Sequence, residues 1–282
     1  MKKNKLVMPV LKWVGGKRQL LSEIKKYIPK ISKNITYYEP FVGGAVLFEL
    51  QPEKAIINDV NRDLIDVYKV IKDNVEDLIN ELKNEKYANT SEAFYKIREL
   101  DREPNKYNKL NTIQKAARII YLNKTCYNGL YRVNSIGEFN SPFGRYKNPN
   151  IVNEVGLKAV SKYFNDADIT FLSGDFESSV KGVRKGSVVY FDPPYAPISK
   201  TSNFTGYNES GFGEDEQIRL KSLCDKLTDK GIHILLSNSD CEFIRNLYSD
   251  KTRYTIKLVK AKRTINSNSN SRGEVSEVLI VN

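Results

Sequence analysis

"VVYFDPPYAP", residues 188–197, decides how this chain is read. Four strand formers, Val188, Val189, Tyr190 and Phe191, run straight into Asp192, Pro193, Pro194 and Tyr195. Proline offers no N–H to a ladder, so a central strand cannot continue through it. The segment reads as a buried strand that stops at a carboxylate, two rigid residues and an aromatic ring.

Working outward, "ITYYEPF" (35–41) reads as a strand that ends at "VGG" and leads into a short helix, "AVLFEL". "AIINDV" (55–60), "DITFLSGD" (168–175) and "IHILLSNS" (232–239) are further short apolar strands. Residues 62–85 carry apolar side chains at helical spacing and predict one helix. "SEAFYKIREL", "TIQKAARIIYLNKTCY" and "DEQIRLKSLCDKLTDKG" predict others, and "YTIKLVKA" and "EVSEVLIV" close the chain as two strands. Strands alternating with helices imply a mostly parallel α/β sheet. The sheet is expected to start near the N-terminus and to resume near residue 168. Between these lies a helical insertion with a hairpin over "YRVNSIGEFNSPFGRY" (131–146). The expected domains are 1–83 with 168–282, and 84–167. The loop "NSNSNSRG" (266–273) is polar and is given no role.

The chain has 282 residues, with 45 Lys and Arg against 34 Asp and Glu, a net charge of +11. That excess suits a polyanionic partner such as nucleic acid, or simply a lysine-rich surface. Its distribution favours the first. From Arg118 to Lys147 there are five basic residues, Arg118, Lys124, Arg132, Arg145 and Lys147, against one acid, Glu138. Aromatic and asparagine side chains interleave with them, as base contact requires. "KTRYTIKLVKAKR" (251–263) is a second basic run. Three scattered cysteines and a single histidine, His233, offer no zinc-ligand spacing, so no metal is expected and a reducing, cytoplasmic setting fits. No run of about 18 apolar residues is present, so no membrane span is expected, and the basic N-terminus lacks the pattern of a signal peptide. Oligomeric state, monomer or weak dimer, is left open.

Open α/β sheets bind ligands at the carboxyl ends of their strands. In "FVGGA" (41–45), Gly43 and Gly44 let backbone N–H groups approach a ligand at a helix start. Asp59, in "INDVN", follows at roughly the ~20-residue spacing of a ribose-binding acid, and it could equally cap the helix beginning near Arg62. "KWVGGKRQLL" (12–21) sets Lys17 after a Gly-Gly turn without P-loop spacing, which fits a cradle for a small carboxylate ligand. Trp13, the single tryptophan, is either core or a ring wall for that ligand.

The double proline suits methyl transfer to an exocyclic amine. Adenine's amino lone pair is conjugated with the ring and is a poor nucleophile. Accepting hydrogen bonds from both of its N–H groups draws the nitrogen towards tetrahedral geometry. Asp192 supplies one acceptor and the Pro193 carbonyl, rigid because proline fixes φ, supplies the other. Tyr195 can stack on the base. With an ordinary pKa near 4, Asp192 would orient and polarise rather than deprotonate. An ordinary Asp-Pro-Pro turn is the bland alternative.

"DPPY" (192–195), with "FVGG" (41–44) and "KWVGGK" (12–17) ahead of it, resembles the adenine-N6 DNA methyltransferases of the alpha class, which use S-adenosylmethionine. The match is closer to the Dam-like enzymes acting in GATC, whose segments "YNGLYRVN" (127–134), "GEFNSPFGRYK" (137–147) and "SNFTGYN" (202–208) resemble. The resemblance covers nearly the whole chain. It implies a methyltransferase fold, a mostly parallel seven-stranded sheet with its last strand antiparallel, and an inserted helical recognition domain for double-stranded DNA. It gives Trp13, Lys17, Glu39, Phe41, Gly43, Asp59 and Asp192 to the cofactor, and Asp192, Pro193, Pro194 and Tyr195 to catalysis. Tyr127 and Asn128 would enter the duplex beside a flipped adenine. Arg132 would read a guanine, and Lys12, Pro142 and Tyr146 would make further DNA contacts. Lys124, Arg145 and Lys147 suit phosphates. Ala45 stands where a third glycine is commoner. The competing readings are an RNA or cytosine-N4 methyltransferase on the same fold, and a DNA-binding protein that has lost catalysis. Host protection in a restriction-modification pair, strand marking and a phage role stay open.

Overall fold

The structure, a computed structural model, describes residues 3–13, 16–17, 19–44, 46–198, 211–262 and 274–282. The segments "SNFTGYN" (202–208) and "NSNSNSRG" (266–273) lie outside them.

In chain order, α1 (Leu21–Tyr27) precedes β1 (Tyr37–Glu39), α2 (Leu47–Leu50) and β2 (Lys54–Asp59). Six helices follow: α3 (Arg62–Asp73), α4 (Val75–Leu82), α5 (Ser91–Arg98), α6 (Pro104–Tyr107), α7 (Thr112–Thr125) and α8 (Glu154–Asp166). Then come β3 (Asp168–Ser173), α9 (Phe176–Ser179), β4 (Val188–Phe191), α10 (Glu214–Asp229), β5 (His233–Ser239), α11 (Glu242–Leu247), β6 (Thr255–Lys262) and β7 (Glu274–Val281). The strand order is β3-β2-β1-β4-β5-β7-β6. β1 pairs parallel with β2 and β4, β4 pairs parallel with β5, and β7 runs antiparallel to β5 and β6. The expected mostly parallel seven-stranded sheet with its last strand reversed is therefore present.

The chain falls into two compact units. The first comprises Met1–Gly16, Gly43–Glu53 and Asp59–Ser173, and contains all of 84–167. It is largely helical. Its core gathers Phe48, Tyr68 and Phe164, with ring centroids 5.7–6.0 Å apart. α3 starts at Asn61, whose side chain accepts the Leu64 N–H, and α7 starts with a reciprocal capping box between Asn111 and Gln114. The single helix expected over 62–85 is two. At Asn74 (φ −138°, ψ 39°) the chain leaves helical geometry and restarts as α4. The Asn74 side chain makes no capping bond to α4, and the apolar period continues across the break, so the pattern alone hid it.

The second unit comprises Lys17–Val42, Lys54–Asn58 and Gly174–Asn282. All four residues of β4 are buried. Val189 and Phe191 join Leu220, Leu223 and Leu227 of α10 and Ile234 and Leu236 of β5 in one core. Strands covered on both faces read as continuous apolar runs, which is why "VVYF" lacks alternation. The sequence direction of strand order reverses between β1 and β4, with Tyr37 opposite Val188 and Tyr38 opposite Val189. Ligands of open α/β sheets bind at such a reversal, beyond the strands' carboxyl ends. Glu39 and Asp192 stand at those two ends.

Candidate functional site

In the second unit, β4 delivers Asp192 to the end of the sheet. Its carboxylate is enclosed: the side chain is 6% exposed, as is that of Lys17, whose Nζ lies 2.9 Å from Asp192 Oδ1. Its pKa is not the ordinary value near 4. Burial pushes it up to about 6, Lys17 opposes that, and the charge of Glu277 adds to it. Lys17, expected to wait for a ligand carboxylate, holds Asp192 instead and lies 4.7 Å over the Tyr195 ring.

The loop after β4 is fastened at several points. Gln217 Nε2 donates to the Pro194 carbonyl at 2.8 Å. Ala196 N–H donates to Asn238 Oδ1 at 2.9 Å, and Ser239 Oγ donates to the Ala196 carbonyl at 2.6 Å. Asn238 Nδ2 in turn donates to Gln217 Oε1 at 3.1 Å. The Tyr195 hydroxyl donates to Glu277 Oε2 at 2.9 Å. Sequence reasoning named none of Gln217, Asn238, Ser239 or Glu277. The available signal was the polar "SNS" ending an apolar strand, because buried polar groups are retained where they have partners. Glu39 is fully enclosed and accepts the Tyr37 hydroxyl at 3.0 Å. Phe41 is partly exposed, stacked on Phe176 at 5.3 Å and edge-on to Phe212 at 5.6 Å.

In the first unit, Trp13 stacks on Tyr131, with ring centroids 4.8 Å apart and planes 24° apart. A Cβ on Gly43 would lie 2.5 Å from Trp13 Cδ1, so the indole's approach requires glycine there. Trp13 is half-buried, which leaves part of its ring for a ligand. Asp59 does not cap α3, since Asn61 fills that role. It accepts the Asn61 N–H at 2.9 Å, and burial pushes its pKa up to about 6, with the Asn61 and Gly43 amides opposing. A carboxylate held by backbone amides keeps acceptor capacity for sugar hydroxyls.

The same unit carries the candidate DNA residues. α7 ends in a tight turn, Tyr127–Gly129, with Asn128 at φ 57°. Tyr127 is 58% exposed, and its N–H donates to the Pro142 carbonyl at 2.8 Å. Asn123, fully buried, binds both backbone groups of Lys12, whose Nζ lies 5.6 Å over the Tyr146 ring. A Cβ on Gly129 (φ +65°) would meet Lys12 Cδ at 2.5 Å. Lys12, Tyr127, Asn128, Pro142 and Tyr146 are thus brought together around the end of α7. The hairpin contains no regular strands: bridges at Val133–Phe139 and Cys126–Phe143 hold it, with a turn closed by the Gly137 N–H on the Asn134 carbonyl. Asn134 explains this. Its side chain binds the Ile136 and Glu138 N–H groups and replaces ladder bonds with a turn. Arg132 is exposed, with Nε donating to Asn140 Oδ1 at 2.7 Å. Arg145, at φ 52°, and Lys147 are exposed, and Lys124 is half-buried. Arg118, counted in the basic cluster, is no DNA contact. It is 4% exposed, paired with Asp101 at 2.7 Å and donating to the Ile97 carbonyl. Among the described residues, no group of His, Cys, Asp and Glu is arranged to hold a metal ion, and no helix is long and apolar enough to cross a membrane.

Residues 13–265 match the family model of the D12 class N6 adenine-specific DNA methyltransferases. The type II methyltransferase M1.LlaDCHI of Lactococcus lactis subsp. cremoris is 44% identical over 284 residues, covering 100% of this chain and 98% of that protein. The type II methyltransferase M.MjaIII of Methanocaldococcus jannaschii is 47% identical, covering 98% of this chain and 99% of the relative. The DNA adenine methylase of Escherichia coli K12 is 35% identical, covering 99% and 95%. Among solved structures, a precorrin-6y C5,15-methyltransferase from Geobacter metallireducens aligns at a TM-score of 0.38 and 7% identity, over 97% of this chain and 96% of that one, a likeness too low to add to the assignment. Adenine-specific relatives over the full length set aside the RNA, cytosine-N4 and inactive readings. The enzyme methylates adenine in DNA and uses S-adenosylmethionine. The chain belongs to the D12 class of N6 adenine-specific DNA methyltransferases.

Proposed function

We propose that the enzyme methylates the adenine of GATC in double-stranded DNA, taking that adenine out of the stack, and that residues 84–167 form the recognition part. The observation that carries this reading is the hairpin. Arg132 stands exposed with Nε committed to Asn140, which leaves the terminal nitrogens of the guanidinium as a fork. Such a fork matches the O6 and N7 of guanine. Tyr127 and Asn128 on the adjoining turn are exposed and suit the space left by an extruded base, which costs a few kcal/mol to unstack. Arg145 and Lys147 suit phosphates and carry no sequence information.

The residues present fit the cofactor. In the first unit, Asp59 offers acceptors for vicinal ribose hydroxyls and Trp13 a partly exposed ring; in the second, Phe41 offers a partly exposed ring. S-adenosylmethionine, when bound, supplies an electrophilic methyl group. Asp192 and the Pro193 carbonyl accept the two N6 hydrogens of adenine and aim its lone pair, while the Tyr195 ring supports the base. The proton leaves N6 after the methyl has arrived, when the nitrogen is cationic and acidic, and Asp192 Oδ is placed to accept it.

The test is single-turnover methylation of matched duplexes. Each substituted base pair in GATC should slow the reaction by about 10- to 100-fold, the usual 1–3 kcal/mol per mismatched pair. Equal rates on duplexes without GATC would overturn the target assignment.

A further inference from the structure

We infer that Glu277, on the antiparallel strand β7, is a positioning residue for methyl transfer: its carboxylate holds the Tyr195 hydroxyl and so fixes the plane of the ring offered to the adenine. The inference rests on the reading of Tyr195 as the residue that supports the target base. Tyr195 OH lies 2.9 Å from Glu277 Oε2. The register of β5 and β7 sets Glu277 opposite Ser239, and Ser239 Oγ holds the Ala196 carbonyl. Asn238 holds the Ala196 N–H, and Gln217 holds the Pro194 carbonyl. The backbone on both sides of Tyr195 is therefore pinned by α10 and β5. These bonds fix where the side chain begins and leave χ1 and χ2 of the tyrosine to be set by something at its far end. Glu277 is that restraint, with the Lys17 ammonium 4.7 Å over the ring limiting one face. A neutral acceptor would hold a hydroxyl too. The carboxylate gives a stronger, charge-assisted bond, and it does so although its charge opposes ionisation of Asp192. An element needed only for sheet pairing would not require a second anion beside the catalytic one.

The experiment is single-turnover methylation of a GATC duplex at saturating cofactor by the full chain and five variants. Glu277→Ala and Tyr195→Phe should each lower the rate about tenfold with the KM for DNA little changed. Tyr195→Phe/Glu277→Ala should be no slower than either single variant, because both remove one shared bond. Glu277→Gln, whose amide oxygen can still accept the hydroxyl, should recover the rate to within about threefold. If Glu277→Ala does not fold, Tyr195→Phe removes only the hydroxyl and carries the test. A wild-type rate in Tyr195→Phe, or multiplying losses in the double variant, overturns the inference. A fifth variant, Tyr195→Ala, separates the two readings. If it is inactive while Glu277→Ala is not impaired, the anchor is refuted and the tyrosine's role survives. If both are unimpaired, the role assigned to Tyr195 falls with it.

Discussion

Acidification should switch off catalysis near pH 6, two pH units above where an ordinary aspartate would act. Asp192 is raised from 3.8 to about 6, first by burial, with Lys17 opposing and Glu277 reinforcing. At 1.36 kcal/mol per pH unit, ionised Asp192 costs the folded free enzyme about 3 kcal/mol. The folded value lies above the unfolded one. The cost is therefore fully present above about pH 6, and it is relieved as the pH falls through 6 towards 3.8. Only the ionised carboxylate accepts the amine's hydrogen bond without presenting a proton to it. At pH 5 a group of pKa about 6 is roughly one-tenth ionised, whereas one at 3.8 would be more than nine-tenths ionised. The assay is single-turnover methylation from pH 5 to 9 with kcat/KM extracted, which reports the free enzyme. A fall of about tenfold between pH 7 and pH 5 is expected, with a flat profile above 7. The limb in kcat should lie lower, because the bound amine stabilises the ionised form. Lys17→Met removes the opposing charge and should move the limb to higher pH. Asp59 also sits at about 6, so Asp59→Asn is the control and should leave the limb in place. A flat kcat/KM down to pH 5, or a limb that moves down in Lys17→Met, would refute the argument.

Asp59→Ala should weaken S-adenosylmethionine binding by about 10- to 100-fold in calorimetry, since it removes a charged acceptor from polar hydroxyls. Gly43→Ala should displace Trp13 from Tyr131, which the fluorescence of this single tryptophan reports, and should weaken cofactor binding in parallel. Arg132→Ala should lose roughly 1–3 kcal/mol of discrimination at one guanine in competition between matched and substituted duplexes. Lys147→Ala should instead weaken all sequences alike and reduce the salt slope by about one.

The sheet was legible because its signal is local. "VVYF", "AIINDV" and "IHILLSNS" are apolar runs that end at turn or polar residues, and each forms a strand within a residue or two of expectation. The double proline located the end of β4 because a missing N–H is a property of the residue itself. What escaped depends on residues far apart in the chain. The pKa of Asp192 is set by segments that enclose it and by Lys17 and Glu277, neither adjacent in sequence. Arg118 looks like its basic neighbours until Asp101 is seen to neutralise it in the core. Asp59 and Asn61 are equally good caps by composition, and only the Leu64 N–H distinguishes them. The supports of the catalytic loop, Gln217, Asn238 and Glu277, come from α10, β5 and β7, and no spacing rule links them to residues 192–195.

The central claim is that Asp192 orients adenine N6 for attack, and Asp192→Asn tests it most directly. The substitution keeps the size of the side chain and removes one acceptor oxygen and the charge. With labelled S-adenosylmethionine and a GATC duplex, the wild type should place label only on N6 of adenine. The variant should bind cofactor and duplex within a few-fold of wild type yet transfer methyl about 10²–10³-fold more slowly, the usual loss for one preorganised polar contact in a transition state. Transfer by Asp192→Asn within tenfold of wild type would contradict the account.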